Sequence, residues 1–147
     1  MTRILPPTYL LAAMVLMTAA TVVMPLLVFI PFRWRAVGLL PLTIGVGLNI
    51  AADRQLKRRS TTVKPFQRST ALVTDGVFAW SRNPMYLGMV LLLSGIAVFE
   101  GSVTPWIVVM TFAVLLDRAF IVHEERLLEE TFGARFHEYR SAVRRWL

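Results

Sequence analysis

The chain has no cysteine, which excludes disulfides and thiolate metal sites. Histidine is nearly as scarce: His123 and His137 are the only two, fourteen residues apart. His123 adjoins Glu124, and neighbouring positions do not share a helix face, so no metal site is expected. There is no glycine-rich phosphate loop after a strand, no HExxH run and no serine nucleophile elbow. Polar stripes are missing as well. Apolar residues make up 56% of the 147 and fall into long blocks. A soluble helix bundle needs a polar face on every helix, and the first and third blocks have none. Acidic residues are outnumbered nine to sixteen by basic ones, for a net charge of +7.

What is present is four apolar blocks: 8–30, 36–52, 84–99 and 105–122. The first is long enough to cross a bilayer, and the others lie near or slightly below the usual length of about 20 residues. Snorkelling side chains and local thinning accommodate short spans. The expected class is an all-α integral membrane protein with about four transmembrane helices and a cytoplasmic amphipathic C-terminal helix. A signal peptide is the competing reading of the amino terminus, but the run is too long and no small-x-small site follows it. Arg3 stands at the amino terminus, seven basic residues lie between 53 and 82, and six follow from Arg118 onward. Only Arg33 and Arg35 fall on the other side, which places both termini and the long loop in the cytoplasm. Basic charge beside the membrane attracts anionic lipid headgroups and accounts for the high pI without nucleic acid.

Residues 1–52 read as an N-terminal transmembrane hairpin, bent at Pro25 and ending its first helix before Pro31. "PFRWR" forms an external turn with interfacial Trp34, and Gly38, Gly45 and Gly47 suit close helix packing. Residues 53–147 read as the functional core. Its polar loop, 53–80, contains the turn signal "TDG" and apolar residues Val63, Phe66, Leu72, Val73, Val77, Phe78 and Trp80, which fold it back onto the bundle. "NP" at 83–84 and "TP" at 104–105 mark N-cap and first helical position of the third and fourth helices. The brief turn "EGSVTP" makes those two helices antiparallel neighbours over 84–122. The tail, 123–147, repeats apolar residues from Leu127 to Trp146 at helical spacing, and Gly133 divides it.

That hairpin gathers Arg82, Asn83 and Tyr86 beside His123, Glu124, Glu125 and Glu129, with Asp117 and Arg118 at the edge of the apolar span. Charges at such depth are costly unless paired or facing a cavity. Interfacial anchoring and a solvated helix end explain them as readily as one wall of an active site. Acidic groups at a helix carboxyl end oppose its dipole, so a cationic ligand, or Arg82 and Arg140, must compensate. Asp117 either pairs with a basic residue or stands in the cavity wall.

"SRNPMYLG", followed one hairpin later by "EERLLEETFGARFHEYRSAVRRWL", resembles the isoprenylcysteine carboxyl methyltransferase family and its bacterial homologues, grouped with phospholipid methyltransferases. The resemblance covers roughly residues 50–147. It implies a bacterial inner-membrane enzyme using S-adenosylmethionine on a lipophilic acceptor, most readily a carboxylate, with an amine or phospholipid as the alternative. It also implies that Arg82, Asn83, Pro84, Tyr86 and Gly88 form the first half of the cofactor site. Glu124 and Glu125 form the second half, with Leu128 nearby and Tyr139 and Arg140 in a lid. Arg140 would orient an acceptor carboxylate, and Glu125 would serve as base for an amine. The chain departs from the prenylcysteine enzymes in having "RNP" for their "RHP", and Asn does not titrate near neutrality. Membrane sterol reductases share an "RNPxY" stretch but use NADPH and are much larger. A non-catalytic lipid-binding protein is the third reading. Oligomeric state is unassigned, although "GVG" in the second helix offers a close contact.

Overall fold

The computed structural model describes residues 5–24, 26–60 and 69–147. Arg3, Pro25, Val63 and Phe66, which carried expectations above, lie outside the described residues. The described chain is helical: α1 (Pro6–Val23), α2 (Leu39–Arg58), α3 (Pro84–Glu100), α4 (Thr104–Leu116), α5 (Val122–Phe132) and α6 (Ala134–Ala142). A π-helical turn, Asp117–Ile121, joins α4 to α5 without a break, so Thr104–Phe132 is one helix of 29 residues. That helix, α1, and the 27-residue run Phe32–Arg58 are long and apolar enough to cross a bilayer; α3 is apolar but has 17 residues.

Several boundaries differ from the sequence expectation. The first helix stops at Val23 rather than near residue 30. Met24 precedes a proline, which disfavours helical backbone, and it adopts φ −141°, ψ 74°. The strip after it crosses the α3–α4 turn, where Phe29 and Ile30 N–H groups donate to Gly101 O at 3.0 and 3.1 Å and Val103 N–H donates to Leu27 O at 3.1 Å. Backbone that leaves a helix needs such partners. "PFRWR" is not an isolated turn but part of a 3₁₀ segment, Phe32–Gly38, running directly into α2. At its other end α2 continues to Arg58, so the polar loop begins later than residue 53. Arg, Gln, Leu and Lys are good helix formers, and Lys57 pairs with Asp53 one turn back at 2.6 Å. Helix four likewise continues through 123 into α5, and the break falls at Gly133, whose φ of +50° favours glycine.

α3 is central, flanked by α2, α4 and α1, while α1 finds its larger partner in α4. The first two helices therefore settle on opposite flanks of α3, although adjacent in sequence. Small residues decide the α2–α3 contact. A Cβ on Gly45 would lie 2.5 Å from Gly88 O, and one on Gly95 would lie 2.6 Å from Gly38 O, so two glycine pairs let the backbones touch. Gly47 faces open space instead. The core between α1, α3 and α4 contains fully buried Met17, Leu93 and Leu116. At the end remote from Arg82, Glu100 accepts hydrogen bonds from Thr18 (3.0 Å) and Thr21 (2.5 Å) of α1, which satisfies an acid in apolar surroundings.

Candidate active site

The start of α3 positions the polar cluster, and the start of α4 braces the opposite end of the hairpin. Asn83 occupies the N-cap of α3 with Pro84 after it, but the Asn side chain does not cap. Its amide instead donates to Arg145 O at 3.1 Å. Pro84 lacks an N–H that would need satisfying at the first position, so the helix starts without a side-chain cap. At α4 the helix begins one residue early, at Thr104, and Pro105 is second. The Thr104 hydroxyl donates to Met24 O at 2.8 Å and accepts from Leu26 N–H at 3.0 Å, stitching the strip after α1 to the turn.

The segment before α3 is fastened to α2. Gln55 donates to Asp75 O at 2.7 Å and to its carboxylate at 2.9 Å, and Arg59 pairs with the same carboxylate at 2.7 Å. From α6, the Tyr139 hydroxyl donates to Phe78 O at 2.7 Å. Burial raises the Tyr139 pKa above the ordinary phenol value, with the Arg82 charge pulling the other way. Of the loop's apolar residues, Leu72, Val73 and Phe78 fold back and become one wall of a cavity, whereas Trp80 is 79% exposed.

That cavity, of about 320 Å³, lies where α3 begins. Ligand pockets range from roughly 300 to 1,000 Å³. Arg82, Asn83, Pro84 and Tyr86 line it from α3 and the residues before it; Glu124 and Leu128 line it from α5, and Tyr139 from α6. Seven of the residues expected to hold a cofactor therefore meet at one cavity. Gly88 does not: it faces Asn49 and Gly45 of α2 and serves packing. Glu125 lies behind the wall, and Arg140 is exposed on the outer side of α6.

The two adjacent glutamates have opposite surroundings. Glu125 accepts from Arg82 at 2.8 and 3.2 Å and from Arg145 at 2.6 and 3.2 Å. The side chains of Arg82 and Glu125 are each only 9% exposed. Arg82 also donates to the carbonyls of Arg140 (3.1 Å) and Val143 (2.6 Å), so much of its guanidinium is committed within the protein. Glu124 accepts one hydrogen bond, from the Tyr86 hydroxyl at 2.5 Å. Among the described residues no ion pair engages Glu124, whereas Glu125 and Asp117 are both paired. An acid facing a mostly apolar cavity, with no cationic partner among the described residues, suits a ligand bearing positive charge. S-Adenosylmethionine carries both an ammonium and a sulfonium, so this donor set fits it.

Sequence reasoning missed Met85, Met89 and Leu127 in the walls, and Arg145. Helical spacing carries the signal for the first group: Leu127 is three residues from Glu124, and Met89 is three from Tyr86. Arg145 gave no such signal, since "RRWL" reads as a basic end at a membrane surface. Its partner Asp117, for which the sequence allows either pairing or a place in the cavity wall, pairs: Arg145 reaches it at 3.2 Å. Glu125 holds the Arg145 pKa above its ordinary value.

The family model described as phospholipid methyltransferase matches residues 34–135, more than two thirds of the chain, from α2 through α5. The chain belongs to this family. Membership makes it, by enzyme class and cofactor, a membrane methyltransferase dependent on S-adenosylmethionine. An uncharacterized protein of Haemophilus influenzae is 35% identical over 63 residues, 43% of this chain and 100% of that protein. Among solved structures, the eukaryotic intramembrane Ras methyltransferase, an isoprenylcysteine carboxyl methyltransferase, superposes with a TM-score of 0.67 at 21% identity over 93% of this chain. This likeness is one of fold, and the chain spans 50% of that enzyme's length.

Proposed function

We propose that the cavity binds S-adenosylmethionine and that the enzyme methylates a lipophilic carboxylate, forming an ester. Glu124, oriented by Tyr86, holds the positive end of the cofactor; Pro84, Leu128 and Tyr139 bound the space around it, and Asn83 and Arg82 complete its rim. When bound, the cofactor supplies an electrophilic methyl group on sulfur. The protein's contribution is alignment and exclusion of water, which the apolar walls provide. The observation that carries the choice of acceptor is that Glu124 is the one carboxylate among the described residues lining the cavity. Once it serves the cofactor, no second base remains there, and a carboxylate acceptor needs none. Arg140 and Glu125 act at the margin: Glu125 through Arg82, and Arg140 by drawing an anionic acceptor toward the tail.

The reading includes four spans, with α3 as the short one, both termini cytoplasmic and an amphipathic tail at the interface of the bacterial inner membrane. The basic residues around residues 53–82 and in the tail support that orientation and contact with anionic headgroups. The first two helices act as scaffold and residues 53–147 as the methyltransferase core. An amine acceptor, with Glu124 as its base, is the second reading, favoured by the phospholipid methyltransferase match. Incubating the protein in nanodiscs with methyl-labelled cofactor and matched lipophilic acids and amines separates the two. Label released by mild base as methanol supports the ester; label confined to base-stable products refutes it.

A further inference from the structure

We propose that Arg145 is a positioning residue: it clamps the carboxyl end of the chain to the α4–α5 junction and thereby fixes the direction in which Glu124 faces. The inference rests on the reading of Glu124 as the anchor of the cofactor. Arg145 spans two carboxylates, Glu125 at 2.6 Å and Asp117 at 3.2 Å. These bracket the π turn, Asp117–Ile121, and such turns recur at functional sites. The extra residue of a π turn slips the helix register, and the shared guanidinium holds the slipped register in place. Successive helical residues point roughly 100° apart. With Glu125 drawn toward the tail, its neighbour Glu124 is turned toward the cavity, where Tyr86 meets it.

The tail is fastened independently through its backbone. Arg82 N–H donates to Arg144 O at 3.0 Å, and Arg145 O accepts from Asn83 (3.1 Å) and Ser81 (3.3 Å). Trp146 then packs on the core. The side chain of Arg145 is therefore not needed merely to keep the tail in place. Its distinct contribution is the link between α5, the π turn and the strap. A guanidinium can span two carboxylates as a fork, whereas an ammonium is a point charge.

The test uses the full chain in nanodiscs, with S-adenosylmethionine titrated by calorimetry and amide hydrogen exchange followed in 117–129 and 143–147. For Arg145→Ala the expected result is cofactor affinity at least ten-fold weaker and faster exchange in 117–129, with 143–147 little changed. Arg145→Lys does not restore either. Asp117→Asn, which preserves shape, weakens binding about three-fold or more, and combining it with Arg145→Ala adds little. Arg145→Ala or Asp117→Asn binding within two-fold of wild type, with exchange in 117–129 unchanged, overturns the proposal. A lowered Tm with unaltered affinity also overturns it, since that marks a structural anchor only. If Arg145→Ala fails to fold, Asp117→Asn decides by the same two readouts. If the wild-type protein binds no cofactor, the proposed function fails, whereas exchange in 117–129 still decides whether the clamp exists.

Discussion

Replacing Gly45 by alanine tests the α2–α3 contact that carries the first turn of the site. The added methyl would lie 2.5 Å from Gly88 O and 2.8 Å from Leu92 N, both backbone atoms that cannot rotate away. The helices must part by several tenths of an ångström along their length. Overpacking of this kind costs about 1–3 kcal/mol, and rigid neighbours favour the upper part of that range. Alanine recovers up to about 1 kcal/mol of helix propensity, leaving a net loss of about 1–2 kcal/mol. Gly47→Ala is the internal control, because nothing lies within 4 Å of its Cβ. It should gain up to about 1 kcal/mol. Two glycines a single residue apart in one helix thus respond with opposite sign. Reversible unfolding in mixed micelles, followed by circular dichroism, reads the difference. Equal stability of the two variants would refute the close approach of α2 and α3.

Thr104→Val removes both bonds that stitch the strip after α1 to the α3–α4 turn, so it should destabilise by about 1–3 kcal/mol, the cost of leaving buried backbone unpaired; the same unfolding assay checks it. Tyr139→Phe breaks the bond to Phe78 O, and a loss of about 0.5–1.5 kcal/mol is expected. Because burial raises the Tyr139 pKa, its contribution is fully present below the unfolded phenol value of about 10 and is lost as pH rises toward the folded one. The alkaline decline in stability should therefore be shallower in Tyr139→Phe, and the alkaline phenolate absorbance of that variant should lack one late-titrating tyrosine.

The helical class and most of the cavity were legible because both depend on local patterns. Long apolar blocks report burial in lipid or core whatever the tertiary arrangement, and "SRNP" and "EERLL" place polar groups at the two ends of one hairpin. What local pattern does not encode is which neighbour a helix chooses. α1 and α2 are consecutive, yet Gly45 of α2 and Gly38 just before it match Gly88 and Gly95 of α3, so the contact is set by two distant glycine pairs. The end of the first helix depends on hydrogen bonds to residues more than seventy positions away. Glu124 and Glu125 looked interchangeable in sequence. A π turn upstream and Arg145 downstream separate their roles, and neither has a signature in composition or spacing.

The central claim is that Glu124 anchors a cationic cofactor, and calorimetric titration of S-adenosylmethionine into wild type and Glu124→Gln in nanodiscs tests it most directly. Glutamine still accepts the Tyr86 hydrogen bond, so folding should survive while the charge is lost. A charge-assisted hydrogen bond contributes about 1.5–3 kcal/mol, which corresponds to roughly 10- to 150-fold in affinity. Saturable binding by wild type, weakened to that degree in the variant at unchanged Tm, is the predicted result. Equal affinity in both proteins, or no binding to wild type, would contradict it.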